Sequence, residues 1–298
     1  MDEIRDSGQP PAVSKPAHAF ATFVAFCVVV AAGVFVDRIQ ITTTEKSPTV
    51  TTPASNVSEP DTVLIVPKIP VPLPDPAIVE EVAGHSVLGQ PIPLIRIGSG
   101  PAILIMASIH GNESAGTHLV ERLRELLLKN LSDFPRDRSV ILMPVLNPDG
   151  VEAKTRGNAH GVDLNRNFPA ENRENSQRYG LTALSEPEAL AIYKTIERFQ
   201  PIRIVTLHEP LRCVDYDGPG LELATAMAEV CPLAVKKLGT RPGSMGAFTG
   251  EARHIPTITL ELPRDARGLT ADELWERYGA AMLTAVTHPL DSAAETDR

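Results

Sequence analysis

The sequence predicts an α/β domain with a largely parallel or mixed sheet and helices on both faces. Three observations point there. Apolar, strand-like runs alternate with amphipathic helical segments from about Val82 onward. A composition of 43% hydrophobic and 22% charged residues over 298 positions supplies a full core for one or two domains. Many of the 27 prolines fall before Gln90, which separates an irregular N-terminal part from a compact remainder. The net charge of −9 argues against a nucleic-acid partner on electrostatic grounds.

In chain order, residues 1–16 are polar, contain Pro10-Pro11, and read as a disordered tail. Residues 17–36 carry no charge and include Phe20, Phe23, Val24, Phe26, Val28, Val29, Val30, Val34 and Phe35. About 20 such residues make a helix that spans a bilayer core. A cleaved signal peptide and a buried helix are the alternatives. The apolar run continues past the small residues Ala31-Ala32-Gly33, which favours an uncleaved transmembrane signal anchor. Arg5 and Lys15 before it and Arg38 and Lys46 after it give almost no positive-inside bias. A short N-terminal tail ahead of a large domain ordinarily stays inside. The domain is therefore expected outside the cytoplasm, on the periplasmic side. Residues 37–80, rich in Pro and Thr (Thr42-Thr43-Thr44, Pro67, Pro70, Pro72, Pro74, Pro76), read as an extended linker.

Residues 81–290 form the expected domain, followed by a tail at 291–298. Residues 93–97 and 102–108 read as strands, with Gly98-Ser99-Gly100-Pro101 turning between them. Residues 114–129 have helical apolar spacing (Leu119, Val120, Leu123, Leu126, Leu127). Residues 139–145 form the next strand, closed by the turn signal Asn147-Pro148-Asp149-Gly150. Ser185-Glu186-Pro187-Glu188 has the form of a capping box for a helix to Arg198. Residues 202–207 are a strand running into His208. Residues 221–238 look helical, with Pro232 expected to kink or break the helix. Residues 257–262 are a β-branched strand reaching Glu261. Thr270-Ala271-Asp272-Glu273 is a second capping box, opening a last helix to about Thr287. Cys27 lies in the apolar N-terminal run. Cys213 and Cys231 are either a disulfide in an exported domain or two small buried thiols, and neither has metal-ligand spacing.

The chemistry starts at Ser108-Ile109-His110-Gly111-Asn112-Glu113, where a strand ends and a helix is about to begin. A histidine and a glutamate three residues apart at such a turn can enter one pocket, with small Gly111 and Asn112 letting the chain bend. They are two of the three protein ligands of a catalytic zinc, whose fourth position is left for water. Alone the pattern is weak. His208, at the end of another apolar strand, completes a His-His-Glu set. Such a metal lowers the pKa of its water to about 7 and polarises a substrate carbonyl. A base must then take the water's proton. Glu261 is the candidate, because a carboxylate in so apolar a strand is costly to bury without a role; the alternative is an edge position facing solvent. The loop around Arg156 and Arg166 carries guanidiniums that suit carboxylates and oxyanions.

Taken together, His110-x-x-Glu113, Asn147-Pro148-Asp149-Gly150, Thr155-Arg156, Asp163-Leu164-Asn165-Arg166-Asn167-Phe168, His208 and Leu260-Glu261 resemble the zinc carboxypeptidase superfamily, over about residues 84–288. Within it the chain looks most like the murein peptide amidases, through residues 161–169, 184–188, 210–218 and 242–246. The resemblance implies an α/β/α sandwich around a mixed, mostly parallel sheet. It implies one zinc ion per chain held by His110, Glu113 and His208. Arg156 would hold the scissile carbonyl oxygen, and Asn165 and Arg166 the substrate's terminal carboxylate. Asp163 would accept a hydrogen bond from a ligand histidine. Glu261 would be general base and acid. The implied substrate is a murein peptide cut between γ-D-glutamate and meso-diaminopimelate, whose far ammonium Asp217 or Asp215 would receive. Residues 239–256 contain no tyrosine, unlike the substrate-capping loop of digestive carboxypeptidases, and His160 departs from the amidase pattern and receives no role. The competing expectations are a metallocarboxypeptidase on other peptides, an N-acyl-amino-acid deacylase of the succinylglutamate desuccinylase and aspartoacylase type, and a non-catalytic murein-peptide binder. The binder has no need of the base.

Overall fold

A computed structural model describes residues 77–290. The expected tails at 1–16 and 291–298 and the anchor at 17–36 lie outside the described residues, as does the linker up to residue 76. Among the described residues, no helix is long and apolar enough to cross a membrane.

Eight strands form one mixed sheet: β1 (Ile78–His85), β2 (Pro91–Gly98), β3 (Ala102–Ala107), β4 (Ser139–Met143), β5 (Arg203–His208), β6 (Leu211–Asp217), β7 (Ala234–Val235) and β8 (Thr257–Pro263). Their order across the sheet is β1-β2-β4-β3-β5-β8-β6-β7. The central four, β4, β3, β5 and β8, are parallel, whereas β1, β2 and β6 join by antiparallel pairing. Every residue of β3, β4 and β5 is buried. That follows from their apolar runs, which suit a sheet covered on both faces. Side chains of β3 alternate: Ile103, Ile105 and Ala107 join one core, while Leu104 and Met106 join the other.

Helices α1 (Ala115–Lys129), α4 (Leu221–Glu229) and α5 (Ala271–Thr287) cover the first face, burying Leu119, Val120, Leu123, Met227, Tyr278 and Met282. Helix α3 (Pro187–Phe199), with Ile192 and Ile196, covers the second face, together with Phe168 and Phe248 from loops. The architecture is the expected sandwich.

Four local expectations change. β1 begins at Ile78, inside the expected linker, and pairs with β2 from Ile78 opposite Ile97. Asn147-Pro148-Asp149-Gly150 does not merely turn: it opens α2 (Pro148–Ala153), with Asn147 Oδ1 accepting from Gly150 N at 2.9 Å. An N-cap followed by proline at the first helical position uses the same residue types as a turn. The capping box at Ser185 does not form. Glu186 is the cap residue but its side chain makes no bond to the helix N-terminus, and Glu188 is drawn inward to accept from Val87 N and Asn158 Nδ2. The helix from Leu221 ends at Glu229, before Pro232, and β7 follows. The Thr270–Glu273 capping box is present in full. Cys213 and Cys231 are free thiols.

Candidate active site

The site sits at the C-terminal ends of the parallel strands, where such sheets gather ligands. β3 ends at Ala107, and Ser108 then takes a left-handed backbone (φ 54°), its Oγ 2.8 Å from Thr117 Oγ1. This turn carries His110 and Glu113 over the sheet. Gly111 is required by close approach rather than by bending. A Cβ there would lie 1.9 Å from the carbonyl carbon of Gly150 in α2. β5 ends on His208, which pairs in register with Glu261 of β8.

His110 Nδ1, His208 Nδ1 and Glu113 Oε2 converge in a triangle with edges of 2.9, 3.0 and 3.2 Å. All three residues are buried. A tetrahedral ion with bonds of about 2.0–2.1 Å sets its ligands about 3.3–3.4 Å apart, so the triangle needs to open by only a few tenths of an ångström to take one small cation. On the far side of its ring, His110 Nε2 meets Asp163 Oδ1 at 3.0 Å. A proton held there leaves Nδ1 with its lone pair facing the triangle. Burial opposes charge on His110, but hydrogen bonds to Asp163 and Glu113 outweigh it and raise its pKa. Burial likewise opposes ionisation of Glu113, yet the two histidines hold it well below the usual carboxylate range. An environment that favours positive charge this strongly suits a divalent cation. The donor set of two imidazoles and one carboxylate is one that zinc accepts.

Arg156 is half-buried beside this triangle. Its Nη1 donates to Glu113 Oε1 and its Nε to Asp163 Oδ2, each at 2.9 Å. Its Nη2 is left for a further acceptor. Asp163 therefore binds both His110 and Arg156, and its Oδ1 also accepts from Asn165 N at 3.1 Å, capping the turn that presents Asn165 and Arg166. Asn165 Oδ1 accepts from Met245 N at 2.8 Å, which fixes the side-chain amide with its NH2 free. Glu261 Oε2 accepts from Leu211 N at 3.2 Å, and burial pushes its pKa up.

One cleft of about 230 Å3 is lined by His110, Glu113, His208, Arg156, Asn165, Arg166, Asp217 and Glu261. Of the residues singled out from sequence, Asp163 alone stands behind the wall, holding others in place. His160, left without a role, pairs through Nδ1 with the buried Glu186 at 2.8 Å, away from the cleft. Sequence reasoning missed Glu209 and Arg241. Glu209 is buried, with Oε1 accepting from Ala115 N at the start of α1 and Oε2 from Arg267 Nε. Its backbone N–H donates to Glu113 Oε2 at 3.2 Å, so the Arg267–Glu209 pair steadies the Glu113 carboxylate. The only sequence cue was an acid squeezed between His208 and Pro210. Arg241 sits on the cleft rim in a loop without periodicity.

The zinc carboxypeptidase family model matches residues 74–213. Murein peptide amidase A of Escherichia coli K12 is 33% identical over 233 residues, covering 70% of this chain and 90% of that protein. The Vibrio campbellii protein of the same name is 33% identical, covering 70% and 87%. The crystal structure of the murein-tripeptide amidase of Escherichia coli O157 superposes with a TM-score of 0.56 at 31% identity, covering 71% of this chain and 93% of that one. Bovine thrombin-activatable fibrinolysis inhibitor shares the fold, with a TM-score of 0.62 at 18% identity.

Proposed function

The chain belongs to the zinc carboxypeptidase family and is a hydrolase of the metallopeptidase and amidase kind, and from that premise we propose that it cuts the γ-D-glutamyl–meso-diaminopimelate bond of murein peptides. The observation that carries this is the single cleft that combines a cation triangle, a buried base, a free arginine nitrogen and charged substrate-binding groups. His110, Glu113 and His208 would hold zinc. When bound, zinc acidifies a water and polarises the scissile carbonyl.

The residues supply the rest. Glu261, kept from easy ionisation by burial, takes the water's proton and returns it to the departing amine nitrogen. Arg156 turns its spare Nη2 to the carbonyl oxygen as negative charge develops, and its two carboxylate partners keep it aimed. Arg166, with the free amide NH2 of Asn165, takes the α-carboxylate of the residue leaving on the C-terminal side. Asp217 receives the ammonium at the far end of that residue. The apolar segment 17–36 is proposed to anchor this domain on the periplasmic face of a membrane; protease accessibility in intact cells against lysates tests that placement.

A substrate panel tests the function. The zinc-loaded protein is given γ-D-glutamyl-meso-diaminopimelate peptides, N-acyl-amino acids and ordinary C-terminal peptides. Faster turnover of the γ-glutamyl substrates is expected. Preference for N-acyl-amino acids or for ordinary C-termini would assign the cleft to deacylase or carboxypeptidase chemistry instead.

A further inference from the structure

The cleft holds more charge than the bond-breaking chemistry uses. Asp217 is only 5% exposed, and its Oδ1 is buried with no hydrogen-bond partner among the described residues. Buried polar atoms are almost always partnered, so an orphaned carboxylate on a cleft wall calls for a ligand. Gly246 makes space for it, since a Cβ there would lie 1.9 Å from Asp217 Oδ2. Burial, with the charges of Asp215 and Glu251 behind it, pushes the pKa of Asp217 up to about 6.

Two guanidiniums line the same cleft with no salt bridge to a carboxylate among the described residues. Arg166 donates to its neighbour's carbonyl, Asn165 O, and Arg241 makes no side-chain hydrogen bond or ion pair among the described residues. Burial disfavours the charge on Arg166, Asp163 behind it favours that charge, and Arg156 and Arg241 are close enough to oppose it. Arg166, Arg241 and Asp217 thus line the cleft with no salt bridge among the described residues.

Resting on the murein-peptide function proposed above, we propose that Arg241 is a specificity-determining residue which, with Asp217, binds a substrate side chain ending in its own carboxylate and ammonium. The residue released on the C-terminal side then presents two carboxylates and one ammonium, the complement of Arg166, Arg241 and Asp217. Its α-carboxylate goes to Arg166, its distal carboxylate to Arg241 and its distal ammonium to Asp217. A lysine in that place satisfies Asp217 and leaves Arg241 to water. Arg241 is exposed, so one charge-assisted hydrogen bond sets the discrimination, on the order of tenfold.

The test compares L-Ala-γ-D-Glu-meso-diaminopimelate with L-Ala-γ-D-Glu-L-lysine on the zinc-loaded full chain. Both kcat/KM values are measured, with calorimetric Kd values on Glu261→Gln so that binding is read without turnover. The parent is expected to favour the diaminopimelate peptide by about tenfold, mostly in KM. Arg241→Gln, which removes an exposed unpartnered side chain, brings that ratio close to one in both KM and Kd. Asp217→Asn weakens both peptides alike. A parent without preference, or a ratio unmoved by Arg241→Gln, overturns the role. If the parent cleaves neither peptide but Glu261→Gln keeps the Arg241-dependent binding preference, the subsite stands and the proposed reaction fails.

Discussion

Asp163→Asn separates positioning from ligation at this site. Asp163 lies on neither the metal side of His110 nor the cleft wall, but it makes three bonds: to His110 Nε2 at 3.0 Å, to Arg156 Nε at 2.9 Å and to Asn165 N at 3.1 Å. Asparagine has one acceptor oxygen. Its best orientation keeps that oxygen on His110 and Asn165 and turns its NH2 toward Arg156 Nε, so two donors face each other. The lost bond involves two charged groups, and such bonds are worth about 1.5–3 kcal/mol. Arg156 keeps Glu113 as a partner and is half-exposed, so the smaller figure applies. We expect kcat/KM to fall roughly tenfold to thirtyfold as Arg156 loses its aim. Zinc affinity should fall about tenfold, because the carboxylate that made His110 a stronger ligand has lost its charge. Competition against a chromophoric chelator reads the affinity, and steady-state hydrolysis reads the rate. Parent-like zinc affinity together with kcat/KM within twofold would refute this account of Asp163.

Three further outcomes are expected. Gly111→Ala places a methyl against the backbone of Gly150, where no rotamer change can relieve it, and should cost about 3 kcal/mol in denaturant unfolding; a loss under about 0.5 kcal/mol would contradict the contact. Asp217 has its pKa raised from 3.8 to about 6, so its native state is penalised progressively from about pH 4 and fully above about pH 6. Asp217→Asn should therefore match the parent in stability near pH 4 and exceed it at pH 7.5, on the order of 1–2 kcal/mol after discounting for water in the cleft; a gap that is flat with pH would contradict the assignment. Stripping metal with a chelator should abolish hydrolysis and lower the melting temperature, and zinc at 100 times its Kd should restore about 2.7 kcal/mol of stability. A melting temperature indifferent to zinc would deny the triangle its ion.

The centre of this protein was legible because its chemistry coincides with its secondary structure. His110-x-x-Glu113, His208 and Glu261 each lie at or near the end of a run apolar enough to be read as a buried strand, and parallel packing brings those ends together. The periphery was harder. β1 was hidden by the prolines just before it, which made residues 78–80 look like linker. β6 was missed because Arg212, Asp215 and Asp217 break its apolar pattern, and Asp215 and Asp217 do so while serving the cleft. Asn147-Pro148 reads equally as a turn or as a helix start, and only the approach of α2 to Gly111 shows what the tight geometry is for. Glu209 left no pattern at all. Its value lies in partners 94 and 58 residues away in the chain, Ala115 and Arg267, which no local period reveals.

The most direct measurement is the mass of the products. The zinc-loaded parent and Glu261→Gln are incubated side by side with L-Ala-γ-D-Glu-meso-diaminopimelate, and both solutions are read by mass spectrometry. The expected result is free diaminopimelate and L-Ala-D-Glu from the parent, and intact peptide from the variant at unchanged zinc content. Intact peptide from a parent that holds one zinc per chain, or equal release by both proteins, would contradict the proposed reaction and its base.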